Sequence, residues 1–91
     1  MKQLIKTPAE VDFFGADFST DIPEDDEITA VEWDVPDGLT GTEDSFSGLL
    51  ASIKLAGGVL GTSYVLTATA ETEDGRTVQK SFELVIVEFS I

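Results

Sequence analysis

Cysteine and histidine are both absent from the 91 residues. Without cysteine there is no disulfide framework, no thiol nucleophile and no thiolate metal site, and the redox compartment is not readable. Without histidine the commonest general base, a usual zinc ligand and the Ser-His and Cys-His pairs are excluded. Paired carboxylates remain as a route to acid–base chemistry. A chain this short, however, has little material from which to build the cleft that a glycosidase needs. These absences point to a non-enzyme that works by binding or assembly, with no cofactor and no metal.

Positive charge is also scarce, with five Lys and Arg against eighteen Asp and Glu and a net charge of −13. Nucleic-acid phosphate and anionic membrane both require Lys and Arg to neutralise them, so neither is an expected partner. The same charge speeds association with basic proteins and makes it sensitive to salt. No stretch approaches the roughly 20 apolar residues of a membrane-spanning helix. The first seven residues carry Lys2 and Lys6 but lack the apolar run and small-residue cleavage site of a secretory signal. The expectation is a soluble protein made in the cytoplasm, with one domain over residues 1–91 and a flexible N-terminal segment over 1–8.

What the chain does contain is apolar residues at period 2. From Tyr64, the residues Tyr64, Leu66, Ala68 and Ala70 share one face, and Thr67, Thr69 and Glu71 the other. Glu73-Asp74-Gly75 supplies turn chemistry, after which Val78, Phe82, Leu84 and Ile86 alternate with Thr77, Gln79, Ser81 and Glu83. Together these runs read as a long β-hairpin. Upstream, Val31, Trp33 and Val35 share a face ahead of the Pro36-Asp37-Gly38 turn, making Trp33 a candidate core anchor. Leu49, Ala51, Ile53 and Leu55 alternate with Leu50, Ser52 and Lys54 until Gly57-Gly58 stops the strand. That glycine pair and the β-branched Ile53 argue against a helix there. Near the start, Phe14, Ala16 and Phe18 fall on one face and Phe13 on the other. Short strands separated by frequent turns predict an all-β, antiparallel, immunoglobulin-like sandwich of about six or seven strands. Its structural core is placed at Trp33, Tyr64, Leu66, Phe82 and Leu84. Tyr64, two positions before Leu66 near the start of a late strand, matches a tyrosine corner, which assigns its hydroxyl to fold stability rather than recognition.

Acidic residues are densest at Glu24-Asp25-Asp26-Glu27. Calcium is the sharp reading of that cluster, but the segment from Asp21 to Glu27 lacks the alternating Asp spacing and the trailing Glu of an EF-hand loop. It is therefore read as a solvated loop whose Pro23 and like charges discourage strand pairing. Arg76, at the hairpin tip, is likewise read as solvated and without a role. The C-terminus breaks the alternation: Leu84 to Val87 is apolar on both faces, and Phe89 and Ile91 follow. Either another part of the chain covers this run, or Val85, Val87, Phe89 and Ile91 form a contact surface.

Between Thr7 and Val87 the chain resembles a family of small immunoglobulin-like structural proteins from the virion-morphogenesis region of tailed bacteriophages and prophages. The likeness rests on Pro8 and Phe14-Gly15-Ala16-Asp17-Phe18, then Asp26-Glu27-Ile28 leading to Trp33-Asp34-Val35-Pro36-Asp37-Gly38-Leu39. It continues through Leu55-Ala56-Gly57-Gly58, Gly61-Thr62 and Tyr64 to Thr72-Glu73-Asp74-Gly75-Arg76-Thr77 and Ser81-Phe82. The family often has Tyr and Trp in the first strand, where this chain has Phe14 and Phe18. The resemblance implies a non-enzymatic virion protein, such as a capsid decoration or a head-tail or tail accessory subunit, made in the bacterial host. Its implied partners are other phage structural proteins, with further copies of itself in a repeating assembly as one option. Two readings compete: an acidic binding module, and a DNA-mimic inhibitor of a host protein. The first has few aromatics left for sugar stacking once Trp33 and Tyr64 are in the core. A mimic should space its carboxylates along one face, whereas these cluster in a loop.

Overall fold

The structure, a computed structural model, describes residues 2–88, so Phe89 and Ile91 of the expected contact surface lie outside the described residues. It contains seven strands: β1 (Lys2–Lys6), β2 (Asp12–Asp17), β3 (Ile28–Asp34), β4 (Leu39–Ser47), β5 (Leu50–Gly57), β6 (Ser63–Thr72) and β7 (Thr77–Ile86). They form two sheets, ordered β1-β7-β6-β3 and β2-β5-β4. The β6–β7 hairpin is the longest ladder, running from Ser63 opposite Val85 to Glu71 opposite Thr77. Its alternation is the one expected, with Leu66, Ala68, Ala70, Leu84 and Ile86 almost inaccessible and Thr77, Gln79 and Ser81 exposed.

Side chains from the inner faces of both sheets meet in two neighbouring clusters. Ile53 and Leu55 of β5 pack with Tyr64, Leu66, Phe82, Leu84 and Ile86. Ala16, Phe18, Ile22 and Ile28 pack with Ala51, Ala68 and Ala70. Trp33 touches both clusters and meets Phe82 edge to face at 6.1 Å, but it is half-buried and flanks the core rather than anchoring it. Two glycines are required by close approach. A Cβ on Gly38 (φ 104°) would fall 2.7 Å from the Tyr64 hydroxyl, and one on Gly58 (φ 105°) 2.6 Å from Ile86 Cδ1.

Two strands depart from the sequence expectation. Residues 1–8 were expected to be flexible, yet β1 pairs with β7 from Lys2 opposite Phe82 to Lys6 opposite Ile86. This ladder is parallel, unlike the other four. Leu4 faces the core, but the next inward position is Lys6, and a charge there hides the apolar alternation. β4 has no periodic signal at all, because Leu39 is buried and its other eight residues are exposed. Its place is set by backbone pairing with β5, interrupted by a bulge between Thr42 and Ser45 where Glu43 takes φ 51°.

Candidate contact surfaces

Tyr64, Leu66, Phe82 and Leu84 are buried, and the Tyr64 hydroxyl accepts a hydrogen bond from the Val59 N–H at 3.1 Å. That bond joins β6 to the loop five residues upstream, as a tyrosine corner does.

The acidic segment is built into the fold more firmly than a solvated loop. Asp26 is buried and its carboxylate accepts from the Glu27 N–H at 2.8 Å, the Asp74 N–H at 3.1 Å and Arg76 Nη1 at 2.7 Å. Burial alone would push this carboxyl up. Bonds from the Thr72 hydroxyl, Arg76 and the two backbone N–H groups outweigh burial and hold it down at about 2. Arg76, expected to be free in solvent, is thus the clasp between the β6–β7 turn and the β2–β3 loop, and Asp26 raises its pKa. Lys80 ties the same loop through Asp21 at 2.9 Å. Neither pairing is visible in the sequence, because Asp26 and Arg76 stand 50 positions apart and each sits in a segment with ordinary turn composition. Glu24, Asp25 and Glu27 remain exposed. Among the described residues, no three acidic side chains are grouped so as to hold a metal ion.

Other cationic heads are also engaged. Lys6 is buried at the end of β1, where its Nζ donates to the carbonyls of Thr7 and Gly57. Burial lowers its pKa, and nearby Glu10 offsets part of that shift. Lys54 pairs with Glu43 at 2.9 Å and lies 5.9 Å from the exposed Phe13 ring. The sandwich therefore presents a predominantly anionic exterior.

Of the expected contact surface, Val85 and Val87 are half-buried. β1 provides the lateral cover: Ile5 lies opposite Val85, and the Val87 N–H donates to the Lys6 carbonyl at 2.9 Å. On the outward face, Ile5 is 48% exposed and Val65, diagonal to Val85 across the β6–β7 ladder, is 50% exposed. Ile5, Val65 and Val85 thus make a small apolar patch bordered by Gln3 and Glu83, which are bonded to each other at 2.8 Å. Ile5 and Val65 escaped the sequence reading because each looks like an isolated apolar residue until strand pairing brings them together.

Comparison with known proteins adds the following. Residues 6–85 match the family described as podophage GP4 fiber-tail adaptor protein gp77. No curated protein matches the chain. Among solved structures it is similar to the PKD domain from the KIAA 1837 protein, determined in solution, at 25% identity and a TM-score of 0.57, covering 99% of this chain and 82% of that one. The fold is thus an immunoglobulin-like β-sandwich.

Proposed function

We propose that this chain, which belongs to the podophage GP4 fiber-tail adaptor family gp77, is a connecting subunit of the virion tail that joins a fibre to the tail through protein–protein contacts. The observation that carries this reading is the family match over residues 6–85 of 91. Its family and its fold are both non-catalytic kinds, so the work falls to surfaces rather than to a reaction centre. Among the expected roles, the family match supports a tail accessory subunit more than a capsid decoration.

Ile5, Val65, Val85 and Val87 supply the apolar part of one contact, and the anionic exterior steers basic partner surfaces toward it. Each contact is small, and the repetition of identical sites in one particle compensates through multivalency. Synthesis in the host cytoplasm precedes incorporation. Quantitative mass spectrometry of purified particles tests the reading. A copy number far below that of the major capsid protein is expected, whereas absence from particles, or parity with the capsid protein, would contradict it.

A further inference from the structure

Phe46 sits where an aromatic side chain is ordinarily covered. It stands opposite the buried Ala51 in the β4–β5 ladder, so the two side chains share the inner face of their sheet. Yet Phe46 is 42% exposed and joins neither core cluster. The sandwich opens at this corner. A cleft of about 380 Å³ lies there between the β2–β3 loop and the β4–β5 turn, lined by Ile28, Phe46, Gly48 and Leu49 and, from the loop, by Glu24 and Glu27.

The loop is held in place without using those two carboxylates. Asp26 also lines the cleft, but its own carboxylate is bonded to Arg76 and to the N–H groups of Glu27 and Asp74. The Asp26 N–H donates to the Pro23 carbonyl at 3.0 Å, and the Glu73 N–H to the Glu27 carbonyl at 2.9 Å. Glu24 and Glu27 themselves are exposed, while Lys6, Lys54, Arg76 and Lys80 are all bonded elsewhere. Among the described residues no three acidic side chains are grouped to hold a metal ion, which directs the cleft toward an organic cation. β1 and β3 are opposite edges of one sheet, and β7 ends beside Ser63, at the other end of β6 from the Thr72 that faces Ile28. The first and last strands are therefore remote from the cleft.

We propose that this cleft receives an arginine side chain of a partner protein, its guanidinium stacked on Phe46 and paired with Glu24 and Glu27. A planar, weakly hydrated cation can lie on an aromatic face while its edge donates to carboxylates, a combination that a compact ammonium matches less well. Ile28 and Leu49 make the surroundings apolar, and pairs shielded from water are screened less by salt. This inference rests on the adaptor reading, for which it names a contact at the other end of β6 from Val65 and the Ile5 patch. Contacts at two ends suit a connecting subunit.

Particles assembled with variant chains provide the test, with copy number as the readout and urea unfolding as the check on folding. Replacing Glu24 and Glu27 together with Gln should leave the unfolding midpoint nearly unchanged, because both are exposed, and should lower the copy number severalfold. Glu32→Gln combined with Asp34→Asn removes the same charge from exposed positions of β3 and should leave the copy number at the parent's level. Phe46→Leu keeps the wall apolar without its flat ring and should also lower the copy number severalfold. Equal incorporation of the cleft and β3 variants would overturn the cleft as a contact while leaving the adaptor reading intact. Normal incorporation of Phe46→Leu beside a loss with the Gln variant would make the occupant an ammonium and overturn the choice of arginine. Absence of the parent chain from particles would overturn both readings.

Discussion

The Asp26 carboxylate shows how one side chain fastens two loops that the sequence separates. Its pKa is held at about 2, below the roughly 3.9 of a solvated Asp. A depressed carboxyl stabilises the fold above its unfolded value, and this contribution is lost as the pH falls through the folded value. Urea unfolding of the Asp26→Asn variant should therefore show a lower midpoint than the parent at neutral pH. The gap should close between about pH 4 and pH 2, and a gap independent of pH would contradict the pairing. Tyr64 acts more locally. Tyr64→Phe removes the acceptor for the Val59 N–H and should cost about 1 kcal/mol in the same measurement. Tyr64 was legible in the sequence because its neighbourhood is local, with Leu66 two positions away and Val59 five. Asp26 was not, because its partner arrives only when β6 and β7 have paired.

Among the elements, β1 carries the largest difference between expectation and structure. Its inward residues are Leu4 and Lys6, and it protects one side of the last five residues of β7. A chain lacking residues 1–6 should lose that ladder and expose the flank of Leu84 and Ile86. Its thermal midpoint should fall by roughly ten degrees or more, as expected for a loss of a few kcal/mol in a chain this short. An unchanged midpoint would show that β1 adds nothing. Strands β5, β6 and β7 were legible because each buries one face, which forces period 2 into the residues. β4 was not, because an edge strand held by backbone bonds and facing water imposes no pattern on its side chains. The proposed contact surface was visible in the sequence only in part. Val85 and Val87 stand out as a broken alternation, while Ile5 and Val65 join them only across strands. Replacing Ile5 and Val65 with Ser should leave the unfolding midpoint nearly unchanged, because both are half exposed. The copy number in particles should fall severalfold, and full incorporation would remove the patch from the contact.

At the scale of the molecule, four of the five Lys and Arg side chains are spent on internal bonds: Lys6 on two carbonyls, Lys54 on Glu43, Arg76 on Asp26 and Lys80 on Asp21. The exterior is left anionic around an immunoglobulin-like sandwich, and a body of that kind suits a connector that meets partners through edges and faces. What was legible is a phage structural family, through the order and spacing of turn and core residues over most of the chain. The position in the particle was not, because residues that serve only to pair strands and fill turns do not record what lies beyond the surface. The central claim is that this chain couples a fibre to the tail. It is tested most directly by electron microscopy of particles produced after the coding sequence for this chain has been deleted. The account predicts filled heads with tails that lack fibres, restored when the chain is supplied from a plasmid. Particles that keep their fibres without it would contradict the account.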